Sequence, residues 1–177
     1  MALVTALLLL AVVTILAVGM FRGISGQERI AGNLREKQRA LHAAESAQQY
    51  AEWWLSTGNN AATVPVVCDS VLNANLSQMQ ICSNKLTSVT APPLQIGGAD
   101  QGVTYNPGNA LTINTTSARE TYYAVPRFYV ADMGASADAT GEIYRINAVG
   151  YGGNPSAVAV VESTFVVRQG VVDRGGP

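Results

Sequence analysis

The first 21 residues, Met1 to Phe21, carry no charge, and Arg22 is the first ionisable side chain. At about 1.5 Å per residue, a helix over this run is about 30 Å long, close to the thickness of a bilayer's hydrocarbon core. Leu7 to Leu10, Val12, Val13, Ile15, Leu16 and Val18 leave it no polar face. Such a helix needs lipid or the interior of an assembly. From Arg22 onward the chain is polar and rich in Gly and Asn. The contrast predicts a greasy N-terminal rod joined to a water-soluble head.

The helical pattern continues past the apolar run, which is longer than the apolar region of about 7–15 residues in a removable secretory signal. Retention is therefore expected. Arg22, Arg29, Arg35, Lys37 and Arg39 follow the run and no basic residue precedes it. Positive-inside bias alone would place the head in the cytoplasm. Gly19, Gly23, Gly26 and Gly32 interrupt the helical reading, and two explanations stand side by side. One is close approach of neighbouring helices, the other a weak point that unwinds on assembly.

From Glu28 to about Thr57 the helix is amphipathic. At 100° per residue, Ile30, Leu34, Leu41, Ala44, Ala51 and Leu55 share an arc of about 100°, the width of a core-facing stripe. Arg29, Arg35, Glu36 and Arg39 lie off it, while Lys37 falls inside and is expected to snorkel outward. Thr57-Gly58-Asn59-Asn60 is a stop signal.

Two cysteines, Cys68 and Cys82, flank an Asn/Ser/Gln-rich segment. The single histidine, His42, lies on the helix, so soft metal ligands are too few for a zinc site. A disulfide is expected instead, closing a loop of about 15 residues and contributing about 3 kcal/mol on the chain-entropy model. A disulfide belongs to an oxidising compartment. That opposes the orientation read from the basic residues, and a basic leader removed from before Met1 would reconcile the two. Net charge is −1, with no clustered Lys or Arg, which argues against direct nucleic-acid binding.

The expected fold class is α+β: a long N-terminal helical spine, half apolar and half amphipathic, packed on a C-terminal antiparallel sheet. The domain reading is 1–27 hydrophobic helix, 28–57 amphipathic continuation and 58–177 globular head. Within the head, 58–110 is a variable connection with one helical turn near Val71 to Met79, and 111–168 holds the sheet. Strands are expected at Leu111–Asn114, at Thr121–Ala131 with Pro126 demoting it to an edge or bulge, and at Glu142–Gly150 and Ala157–Arg168 as a pair. Ala157, Ala159, Val161, Phe165 and Val167 share the face that should cover the helix. Arg174 to Pro177 reads as a tail.

No catalytic constellation emerges, and neither a cofactor nor a metal is expected. His42 and Glu45 are three apart on a helix and read as an exposed pair. Asp132, Asp138 and Glu142 surround a Gly/Ala/Ser loop but lack the ligand density of a calcium loop and read as an ordinary hairpin. Trp53 and Trp54 read as core residues joining helix to sheet. Asn75-Leu76-Ser77 and Asn114-Thr115-Thr116 match the glycosylation triplet without further support. Gly152-Gly153 opens no helix and is no phosphate loop.

Met1-Ala2-Leu3-Val4 with its Leu-rich run, Gln27 to Arg35, Ala43-Ala44-Glu45-Ser46-Ala47, and the C-terminal Tyr144-Arg145-Ile146 to Gly150 with Gly152-Gly153 and Val161-Glu162-Ser163 resemble the type IV pilins, and within them the PilX minor pilins. The segment from Gly58 to Leu111 carries none of the resemblance. The resemblance implies a non-enzymatic subunit of a type IV pilus that primes assembly at or near the tip and supports adhesion and twitching motility. It also implies a leader cut by prepilin peptidase and a methylated N-terminus at Met1. The implied partners are other minor pilins and the major pilin, met through N-terminal helices, and a tip adhesin. The implied location is the inner membrane with the head in the periplasm, then the extracellular pilus tip. Pilins usually carry Glu at the fifth mature position, where it neutralises a neighbour's N-terminal amine; here that position is Thr5, a departure that suits a subunit with nothing docked above it. The alternatives are a minor pseudopilin of a type II secretion system, or a signal-anchored periplasmic binding domain with a sizeable ligand pocket.

Overall fold

The computed structural model describes residues 2–68, 76–116 and 121–168. The chain divides into two compact units, Met1–Arg35 and Glu36–Pro177. One helix, α1 (Ala2–Ser56), contributes to both and runs without interruption through all four glycines.

In the second unit, the end of α1 is followed by a 3₁₀ turn, Asn60–Ala62. The strands are β1 (Ser88–Thr90), β2 (Pro93–Ile96), β3 (Ala99–Asp100), β4 (Val103–Thr104), β5 (Arg127–Ala135), β6 (Gly141–Tyr151) and β7 (Val158–Arg168). They form two antiparallel sheets, one of order β1-β2-β3 and a larger one of order β4-β5-β6-β7. The β6–β7 ladder is unbroken from Gly141↔Arg168 to Tyr151↔Val158. Between β5 and β6 the register shifts between Asp132 and Gly134, where Gly134 takes a φ of +87° that favours a residue without Cβ.

Because successive strand residues face opposite sides, the sheet supports two cores. One joins it to α1: Ala47, Ala51 and Leu55 pack with Phe128, Val130, Tyr144, Ile146 and Ala148. The other lies on the far face, where Tyr129, Ala131 and Val149 meet Cys68, Cys82 and Leu94.

The helix face that meets the sheet overlaps the predicted stripe at Ala44, Ala51 and Leu55, which are buried, and is turned part-way round from the rest of it. Ala40, Ala43, Ala44, Ala47, Ala51 and Leu55 are buried, whereas Leu41 is 40% exposed, and Ile30 and Leu34 in the first unit are 69% and 58% exposed. For Leu41, in the second unit, the reason is close approach of the neighbouring helix residues to the sheet. A Cβ at Gly150 would strike the Ala40 carbonyl oxygen and the Ala44 nitrogen, and one at Gly152 would lie 2.6 Å from the Glu36 carbonyl oxygen. Where Gly150 brings the sheet backbone this near, the helix residues are Ala40, Ala43 and Ala44.

The head departs from expectation elsewhere. The segment read as a plain connection contains β1 to β4, short strands whose few alternating residues give little periodicity to detect. Leu111–Asn114 forms no strand, only an isolated bridge from Ile113 to Tyr122. β5 starts after Pro126 rather than at Thr121, since proline donates no ladder hydrogen bond. Residues 71–75 of the predicted helical turn, Asn75 of the glycosylation triplet, and the tail at 174–177 lie outside the described residues. β7 agrees with the expected alternation: Ser163, Phe165 and Val167 turn toward α1, and Val158 and Val160 pack on the far face.

Candidate functional site

The first unit is a helix with no shelter of its own. Leu3, Val4, Leu7 to Leu10, Val12, Val13, Ile15, Leu16, Val18, Met20 and Phe21 are each half or more exposed, far beyond the scattered apolar exposure of a soluble surface. By length and composition the helix can cross a membrane. Thr5 lies within it, its hydroxyl donating to the Ala2 carbonyl at 2.9 Å. The side chain is occupied inside its own helix and brings no carboxylate to this position.

In the second unit, polar contacts clasp helix to sheet. The Glu36 carboxylate pairs with Arg39 at 3.2 Å and accepts the Gly153 backbone N–H. Arg39 in turn donates to the Thr121 carbonyl at 3.0 Å, and its guanidinium lies 4.8 Å from the Tyr122 ring centroid, within cation–π range. Lys37 does not merely snorkel: its ammonium donates to the Val158 carbonyl at 2.7 Å, capping the first residue of β7. One turn from the helix end, Glu52 accepts from Ser163 at 2.7 Å and Gln48 at 2.9 Å. The Glu36–Arg39 spacing signals a local pair, but the long-range partners in the 121–122 and 152–158 segments have no sequence signature.

The remaining candidate residues are dispersed. Cys68 and Cys82 are disulfide-bonded, with Cα atoms 5.6 Å apart. Cys82 also donates to the Val130 carbonyl and accepts from Asp132, both through its backbone. His42 and Glu45 form an exposed pair at 3.3 Å. Trp54 is half-buried against the core, but Trp53 is 56% exposed and contacts Tyr50, ring to ring, at 5.3 Å; adjacent helical residues point about 100° apart, so both cannot face the sheet. Asp138 sits in the β5–β6 loop, bonded to the Ser136 and Thr140 hydroxyls and the Thr140 N–H. These bonds to the carboxylate, led by Ser136 and helped by Arg168, hold its pKa down to about 2. Asp132 accepts from Gly134 at the bulge. Among the described residues no three His, Cys, Asp or Glu side chains cluster as a metal site. Gly152-Gly153 forms the β6–β7 turn, tied by Gly152 N–H to the Ala157 carbonyl.

An open groove of about 920 Å³ lies between the end of α1, the Gly58–Pro65 segment and the sheet. A pocket alone therefore does not separate a filament subunit from a lone binding domain. The comparisons do. Residues 1–48 match the model for the PilX N-terminal region, and residues 43–167 match the model for the C-terminal region of type IV pilus assembly protein PilX.

The chain belongs to the PilX family. It is a structural, non-catalytic minor pilin that serves type IV pilus biogenesis, and its α+β architecture is that of the PilX fold. The C-terminal match spans the middle segment that carried no recognisable pattern. No curated protein matches the chain, and no solved structure does. Family membership implies pilin–pilin interaction in general.

Proposed function

We propose that this PilX-family subunit acts at or near the pilus tip, where it primes assembly and so supports adhesion and twitching motility. Before assembly the apolar part of α1, within 1–27, anchors it in the inner membrane, with the head at 58–177 in the periplasm; afterwards that part packs among the helices of other minor pilins and the major pilin. The amphipathic stretch, 28–57, carries the head. A periplasmic head suits the Cys68–Cys82 bond, which requires oxidising conditions. Processing by prepilin peptidase, methylation at Met1 and contact with a tip adhesin belong to the same reading.

The observation that carries it is the exposed apolar surface from Leu3 to Phe21. The position of Thr5 supports the tip in particular. Its hydroxyl is satisfied within the helix, so it offers no anion to the amine of a subunit docking above, and burying that amine unpaired is costly. Quantitative proteomics of sheared fibres tests the reading: this chain should be far below the major subunit, and deleting its gene should sharply reduce surface fibres. Near-equal abundance would defeat the tip assignment, and undiminished fibres would defeat the priming role.

A further inference from the structure

α1 ends at Ser56, but the sheet's helix-facing side runs on. Asp132, Tyr144 and Phe165 lie abreast on β5, β6 and β7, and Glu142 lies opposite Val167 one pleat further along. The end of α1, the Gly58–Pro65 segment and this extension of the sheet together line the groove. Its apolar lining includes Leu55, Val64 and Val167; Val64 is 78% exposed and nearby Val67 is 65% exposed.

Negative potential converges on this groove from independent sources. Asp132 and Glu142 line it and form no ion pair among the described residues. The Leu55 and Ser56 carbonyls, the last of α1, accept no hydrogen bond among the described residues, and the helix has no basic residue in its last turn. A helix C-terminus attracts cations for this reason. Arg168, the cation among the lining residues, is engaged by Asp138 at 3.7 Å. The Tyr144 hydroxyl cannot answer the carboxylates because it donates to the Ala61 carbonyl at 2.7 Å. Burial first, then the charges of Asp132 and Glu142, push its pKa up to about 12.

We propose that the groove seats an extended apolar segment of a neighbouring pilin subunit, which inserts a lysine or arginine side chain toward Asp132 and Glu142. The apolar flanks of that segment cover Val64 and Val167, and its cation meets the two carboxylates and the helix end. The inference rests on the assembly reading above, because it takes its partner from the pilus.

A photo-crosslinking residue placed at Val64 of the full chain, in piliated cells, tests it, with a second placed at Leu16 to report helix packing. The Val64 adduct should map to a Lys- or Arg-containing stretch with apolar neighbours in a co-purifying pilin. Asp132→Asn with Glu142→Gln should reduce that adduct at least tenfold and leave the Leu16 adducts unchanged. The amide oxygen that Asp132→Asn introduces can still accept the Gly134 N–H. If the double variant does not fold, Glu142→Gln alone carries the test, since the Glu142 side chain makes no hydrogen bond among the described residues. The proposal is overturned by an adduct insensitive to these substitutions. It is equally overturned by one mapping to a stretch without a cation or to residues 169–177 of the same chain, or by no Val64 adduct while Leu16 adducts persist. Loss of adducts at both positions in the unsubstituted chain would remove the assembly reading itself.

Discussion

The Glu36 carboxylate accepts the Gly153 backbone N–H, joining α1 to the β6–β7 turn across 117 residues of sequence. Glu36 also holds Arg39, so one side chain orients two links between helix and sheet. Both charged groups are mostly buried, at 18–19% side-chain exposure, where a charge-assisted bond is strong and a partner left alone is costly. Glu36→Ala should destabilise the head by about 1–3 kcal/mol, and Glu36→Gln by less because the amide oxygen still accepts. Denaturant unfolding of the full chain in detergent measures both.

Gly150 lies where sheet backbone touches helix backbone. A methyl there meets Ala40 and Ala44 main-chain atoms, and backbone cannot move aside as a flexible side chain can. Gly150→Ala should cost at least about 1–3 kcal/mol, the usual penalty for overpacking. A lowered unfolding midpoint, together with fewer surface fibres, is the expected result; an unchanged midpoint would contradict the close approach.

The disulfide ties the segment before residue 69 to Cys82, whose backbone bridges to β5. Replacing both cysteines by serine should cost about 3 kcal/mol for a loop of this length. Reduction of the unsubstituted protein should add two hydrogens to the intact mass.

Asp138 provides a pH signature. Its folded pKa is about 2, below the ordinary carboxylate value. The stabilisation it contributes is therefore present above the unfolded value near 3.8 and disappears as pH falls through about 2. Thr140→Ala removes the hydroxyl bond to the carboxylate and should raise the midpoint toward the ordinary value. Carboxyl chemical shifts followed by NMR across the acid range read both outcomes.

Much of this architecture was legible in the residues. An uncharged run from Met1 to Phe21 has few physical fates, and the order of spine, connection and paired C-terminal strands follows from local periodicity. The strands at Gly141–Tyr151 and Val158–Arg168 were visible because each is long enough to show its pattern. β1 to β4 were not, being four residues or fewer.

What tertiary structure alone decided is which helix face meets the sheet, and what lies beyond the helix end. Ala44, Ala51 and Leu55 of the predicted stripe are buried, but Leu41 is not, and the contact turns to Ala40 and Ala43 because Gly150 lets sheet and helix backbones approach too closely for larger side chains. Glu36, Lys37 and Arg39 read as an ordinary polar face until the sheet turn and strand ends arrive beside them. Local chain statistics record the preferences of each residue; they do not record which distant backbone will come within bonding distance.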